Sequence, residues 1–158
     1  MDNTWSLALW VKASSWGQYN DILLCKNIAS SDACHFYFSI INGATYNIGI
    51  NGGSSTVAYS YTFATNTWYH LAATYNGSTI RLYLNGVLVK TGTYTSTKLT
   101  GHLNLGIGCR STNNNGTAVT GSSESRYMND VRIYDHCLSP KEVEEISKGL
   151  VLHYPLNY

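Results

Sequence analysis

The segment Asn66–Val89, NTWYHLAATYNGSTIRLYLNGVLV, constrains the fold more than any other part of the chain. It holds three apolar runs separated by two glycine turns. Trp68–Tyr75 reads as one strand and Ile80–Leu84 as the next, with a turn starting at Asn76-Gly77 between them. Asn85-Gly86 predicts a two-residue hairpin turn, because both central positions need φ > 0 and this dipeptide tolerates that best. Val87–Lys90 is the third strand.

Strand-like runs continue on both sides. Thr4–Lys12 is apolar on both faces: Trp5, Leu7, Leu9 and Val11 share one parity, Ala8 and Trp10 the other. Such a strand is central and covered on both sides. Ser14–Asn20 reads as a loop. Ile22–Lys26 and His35–Ile41 form a hairpin, Tyr46–Asn51 and Thr56–Phe63 follow, and Leu103–Cys109 is a further strand. Ser111–Ser125, rich in Asn, Gly, Ser and Thr, is a long loop. Met128–Cys137 is a strand, and Ser139-Pro140-Lys141-Glu142 then predicts a helix start. Ser139 is the N-cap, Pro140 the first helical residue and Glu142 the partner in a capping box. Gly149 stops the helix. Many short strands with frequent turns predict a β-sandwich.

The order Trp, His-Leu-Ala, Tyr-Asn-Gly, Leu-Tyr-Leu-Asn-Gly resembles the laminin G-like jelly roll of the concanavalin A-like lectin and glucanase superfamily. The aromatic and Trp-Val pair of Thr4–Lys12 and the Leu-Ser-x-x-Glu helix start resemble it too. The resemblance implies an all-β fold: a two-sheet antiparallel jelly-roll sandwich with one short C-terminal helix. It covers Thr4 to about Lys148, so residues 1–149 are expected to be one domain. Family domains usually begin one strand earlier, and a look-alike of that strand, Leu150–Leu156, stands at the C-terminus instead. The phrase from Asn129 to Leu156 is similar to tail or baseplate-associated proteins of bacteriophages and prophages. A virion-tail or extracellular location follows as an expectation. No signal peptide is visible after Met1, which reads as a non-secreted product or an excised fragment.

Composition narrows the function. Charged residues are 12% of the chain and the net charge is +1, so electrostatics give no reason to expect nucleic acid or an anionic membrane. No apolar run is long enough to span a bilayer. No Asp or Glu occurs between Asp32 and Glu124. Glycoside hydrolysis normally needs two carboxylates facing each other across the scissile bond, so the chain reads as a non-enzyme. Motifs of other catalytic classes are also missing: no G-x-S-x-G elbow, no P-loop and no H-E-x-x-H.

A surface of Asn, Ser, Thr, Gly and Tyr suits hydroxyl-rich ligands as well as neutral protein partners. The candidate ligand-binding residues are Trp16, Tyr19 and Asn20 in the first loop, then Tyr37, Asn47, Asn51, Arg110, Asn113, Asn114, Arg126 and Tyr127. Trp16 is singled out because a loop tryptophan is hard to explain as core. Trp5, Phe36, Phe38, Phe63 and Trp68 have core parity and are set aside. No cofactor is required. The resemblance implies a structural calcium near Asn129 and Asp130, although Asn129 stands where relatives carry an Asp, losing the charge that tightens a hard cation. Cys25 and Cys34 flank a turn; they read either as a cross-hairpin bridge, if the register opposes them, or as buried thiols.

The expected function is a non-catalytic carbohydrate-binding or receptor-binding module, with a glycan or cell-surface receptor as partner. Two alternatives stay open: a structural module that binds other virion proteins, and a sugar-targeting module of a secreted enzyme. Leu150–Tyr158 alternates, with Leu150, Leu152, Tyr154 and Leu156 on one apolar face. It is expected to dock on this domain at the vacant sheet edge; the rival reading makes it the start of a following repeat.

Overall fold

The structure is a computed structural model. It describes residues 4–16, 20–27, 34–50, 55–94, 105–108, 110–111, 118–119 and 126–149. The strands are β1 (Trp5–Ala13), β2 (Asn20–Asn27), β3 (Cys34–Ile41), β4 (Thr45–Ile50), β5 (Ser55–Ser60), β6 (Tyr69–Tyr75), β7 (Thr79–Leu84), β8 (Val87–Thr93), β9 (Leu105–Ile107), β10 (Arg110–Ser111), β11 (Ala118–Val119) and β12 (Arg126–Tyr134). One helix follows, α1 (Pro140–Ile146). Two antiparallel five-stranded sheets face each other, β12-β1-β6-β7-β8 and β5-β4-β3-β2-β9. This is the β-sandwich expected from the strand pattern, and the jelly roll that the family resemblance implies.

Alternation puts one side chain in two into the sandwich. Leu7, Leu9 and Val11 of β1, Leu71 and Ala73 of β6, and Leu82 of β7 meet Phe36, Phe38 and Ile40 of β3 and Tyr46 and Ile48 of β4. Tyr46 also ties the sheets by a polar link, its hydroxyl donating to the Ala72 carbonyl at 2.6 Å. A second apolar cluster lies on the outer face of the β1-containing sheet, where Leu138 and Val143 cover Ala8, Ala72 and Tyr83. That is why β1 and β6 are apolar on both faces.

The hairpin turn is as expected, with Asn85 at φ 49° and Gly86 at φ 81°. Gly86 has a second reason to lack a side chain: a Cβ there would lie 2.3 Å from Ser147 Oγ. The helix cap also forms. Ser139 Oγ accepts from the Glu142 amide, and the Glu142 carboxylate accepts from the Ser139 amide at 2.7 Å. Replacing Ser139 by Ala removes this cap, and thermal or urea unfolding should show a loss of about 1 kcal/mol.

Several expectations change. Trp68 precedes β6 and shares the parity of His70, so it faces outward and is 40% exposed rather than core. Pairing sets Cys25 opposite Tyr37 and Cys34 opposite Asn27, so the register does not oppose the two cysteines. Phe63 is buried but lies beyond β5. The long loop starting at Ser111 contains a short ladder, with Arg110 opposite Val119 and Ser111 opposite Ala118. Leu150–Tyr158 lies outside the described residues.

Candidate functional site

The sequence candidates do not converge on one surface. Trp16 closes an end of the core. Its ring packs against Phe63 with centroids 5.6 Å apart, its Nε1 donates to the Ala64 carbonyl at 3.4 Å, and it lies on Gly43, whose Cβ would come within 2.7 Å of it. It is half-buried and explained by packing. Tyr37 and Asn47 point outward from the β3–β4 pair. The Tyr37 ring covers Gly49, and its hydroxyl bonds Thr56 Oγ1 at 3.2 Å. Asn47 is fully buried, with Oδ1 accepting from Ser39 Oγ at 3.0 Å, so it is not the exposed ligand contact expected. Asn20 opens β2 opposite Ile41, and Arg110 stands in β10. Arg126 is half-buried at the start of β12, opposite Ala13. Tyr19, Asn51, Asn113 and Asn114 lie outside the described residues.

Tyr127 is placed differently. It is 55% exposed on the outer face of the helix-bearing sheet and faces Lys12 across the β1–β12 pair. Lys12 Nζ sits 4.9 Å from the centroid of the Tyr127 ring and 5.2 Å from that of Trp68. Ammonium and ring quadrupole attract, worth about 0.5–1 kcal/mol per contact at exposed sites. Among the described residues Lys12 has no carboxylate partner. One step further along β1, Trp10 pairs with Asn129 on β12 and His70 on β6. The Trp10 and His70 rings meet edge to face at 5.3 Å. His70 is 2% exposed, and its Nδ1 has no hydrogen-bond partner. Burial lowers its pKa to about 4, opposed by nearby Asp130 and reinforced by Arg132.

These residues make a shallow platform: two exposed rings bridged by an ammonium, flanked on the same sheet face by Trp10 and His70. Such a surface can stack on the apolar face of a sugar and donate charged hydrogen bonds to its hydroxyls. The sequence held a signal for it. Trp68, His70, Trp10 and Lys12 share the outward parity of their strands, but which strands lie side by side was not legible.

Asn129 and Asp130 form a bulge in β12, where Asp130 takes φ 50° and the register to β1 shifts. The Asp130 carboxylate accepts from Arg132 Nε at 2.7 Å, and this contact raises the pKa of Arg132. The Asn129 side-chain Oδ1 accepts from the Asp130 backbone amide at 2.8 Å. A cation here would confront a guanidinium and find one acid, and no group of three or more potential metal ligands occurs among the described residues. The pair does not fit a calcium shell. Adding EDTA is therefore expected to leave the melting temperature unchanged; a fall reversed by calcium would show a site built from other ligands.

The remaining acids with described side chains are mostly committed elsewhere. Asp135 contacts His136, Glu142 caps α1, and Glu144 pairs with Lys148 at 2.7 Å.

The sequence from residue 1 to 144 matches a laminin G family model described as the concanavalin A-like lectin/glucanases superfamily. No curated protein matches the sequence. Solved structures share the fold at low identity. A heptameric SAP-like pentraxin from Limulus polyphemus superposes with a TM-score of 0.70 at 17% identity, covering 92% of this chain and 70% of the pentraxin. The botulinum neurotoxin serotype C1 binding domain gives 0.67 at 18% identity, covering 95% of this chain and 37% of that one. The binding domain of Paraclostridial Mosquitocidal Protein 1 gives 0.66 at 14%, covering 91% and 36%. The chain thus spans little more than a third of the two toxin-type binding domains.

Proposed function

This chain belongs to the concanavalin A-like lectin/glucanases superfamily, and from that premise we propose that it is a non-catalytic carbohydrate-binding or receptor-binding module. The observation that carries the reading is the Trp68–Lys12–Tyr127 platform, two exposed rings held around one ammonium. Large apolar rings left in water on an ordered sheet face call for a partner that covers them. The acid-free middle strands support a role in binding rather than hydrolysis, because cleavage of a glycosidic bond needs a carboxylate pair. Neighbours whose names describe binding or receptor-binding domains support the reading at the level of the fold. The partner we infer is a glycan or a glycosylated cell-surface receptor, met on a phage tail or another extracellular particle.

A glycan array followed by calorimetry tests this. Trp68→Ala and Tyr127→Ala should each weaken binding by about 1–2 kcal/mol, roughly 5–30-fold, with the melting temperature little changed. Trp16→Ala should do the reverse, lowering stability and leaving affinity intact, because its ring is spent on Phe63 and Gly43. Wild-type affinity in both platform variants would move the site elsewhere.

A further inference from the structure

The two sheets close on each other differently at their two sides. At one side β8 meets β5, and Gly92 lies so close to Val57 that a Cβ would come within 2.5 Å of it. At the other side the edges are β12 and β9. There the inward parity carries Ile133 of β12, in register with buried Leu7, and Ile107 of β9, in register with buried Leu24. Both point toward the core side, yet Ile133 is 38% and Ile107 51% exposed, and Leu105 is 44% exposed. Inward-facing apolar side chains left this open mark a seam that no strand among the described residues covers. Among the described residues no strand lies beyond β12 in its sheet, and an edge strand is a template for strand addition.

Leu150–Leu156 has the pattern such a seam takes, an alternating segment with Leu150, Leu152, Tyr154 and Leu156 on one face. Within the same copy, Gly149, the residue before it, stands across the sheet from this seam. Helix α1 crosses the sheet from β1, where the Leu138 amide donates to Ser6 Oγ, to the β7–β8 turn, where Ser147 contacts Gly86. Gly149 follows at once, its amide bonding the Ile146 carbonyl. From that turn to a place beside β12 is at least four strand spacings, about 19 Å. An extended chain covers this in about six residues, which consumes most of Leu150–Leu156 before any pairing begins.

We propose that the seam between β12 and β9 is an interaction surface for Leu150–Leu156 of a second copy of this chain, added as a sixth strand beside β12. The apolar face of that strand covers Ile133, Ile107 and Leu105. The contact is head-to-tail, so copies join into open chains or close into rings.

Complementation tests it. The unmodified chain, residues 1–158, should associate with rising concentration in sedimentation velocity. Ile133→Asp destroys the seam and leaves the tail; Leu152→Asp destroys the tail strand and leaves the seam. Each variant alone should be monomeric, and an equimolar mixture should give a dimer and nothing larger. Circular dichroism of each variant confirms that the sandwich is intact, and Ile107→Asp serves as a second seam variant if Ile133→Asp unfolds. A wild-type chain that stays monomeric at every accessible concentration would overturn the proposal, as would mixed variants that fail to pair. If Leu88→Asp, on the β8 edge, lowers the melting temperature of a monomer in the same way as Leu152→Asp, the tail docks on its own domain and the proposal is wrong.

Discussion

Truncating Phe38 to alanine is expected to destabilise the domain by about 3–5 kcal/mol, a large share of the stability of a domain this size. Phe38 is wholly buried at the centre of the sandwich, and its ring meets that of Tyr46 edge to face at 5.3 Å. The cost has two parts, the lost transfer of the ring from water and the cavity left between two sheets that cannot collapse independently. Tyr46→Phe isolates the polar contribution. It keeps the packing and removes the hydroxyl that donates to the Ala72 carbonyl, so about 1–2 kcal/mol is expected. Because the two rings touch, the double variant should cost less or more than the sum. Urea denaturation with unchanged m-values measures all three. A Phe38→Ala loss under 1 kcal/mol would mean that the sheets are not packed as described.

The second large effect is an acid-linked loss of stability through His70. Its folded pKa is about 4 and its ordinary value 6.5, with burial as the main cause. The sign follows from proton counting. Between these values the unfolded chain holds a proton on this ring and the folded chain does not, so stability rises with pH across the window. The contribution is fully present above pH 6.5 and is lost as the pH falls toward 4. Each unit is worth 1.36 kcal/mol, giving on the order of 3 kcal/mol in all. Asp130 and Arg132 both act on the ring; their effects oppose, and burial prevails. His70→Phe should flatten the stability profile between pH 4 and 6.5 while leaving Trp10 a ring to pack against. A variant that keeps the wild-type slope would assign the acid sensitivity to other groups.

The platform and the titrating histidine belong to one face, and this connects stability to binding. Trp10 lies beside His70 and one residue pair away from Lys12 on the same strand face. Protonating His70 places a buried cation beside that platform. Binding at the platform, measured by calorimetry across this range, should therefore weaken as the pH falls toward 4, where the folded ring gains its proton.

Local chemistry determined much of this fold. Asn85-Gly86 dictates a tight hairpin because few residue pairs accept two positive φ angles, and Ser139-Pro140-Lys141-Glu142 dictates a helix start because its side chains supply the missing backbone partners. Alternation of apolar residues dictates strands, since their period is fixed by the pleat. The shortage of acids in the middle of the chain is likewise a property of the sequence. Tertiary structure decided what one-dimensional patterns do not carry. Trp68 and Trp16 are both aromatic and near loops, yet one faces solvent and the other wedges against Phe63, because sheet parity and the approach of Gly43 are set by distant segments. Asn47 read as a surface amide and is buried, its Oδ1 held by Ser39 on the neighbouring strand. Lys12, Trp68 and Tyr127 are far apart in sequence and meet only when β1 pairs with both β6 and β12. Asp130 read as a calcium ligand and instead holds Arg132, because a bulge turns its carboxylate along the strand. Residue types and their periods specify elements; long-range pairing specifies which side chains become neighbours, and a binding surface is made of neighbours.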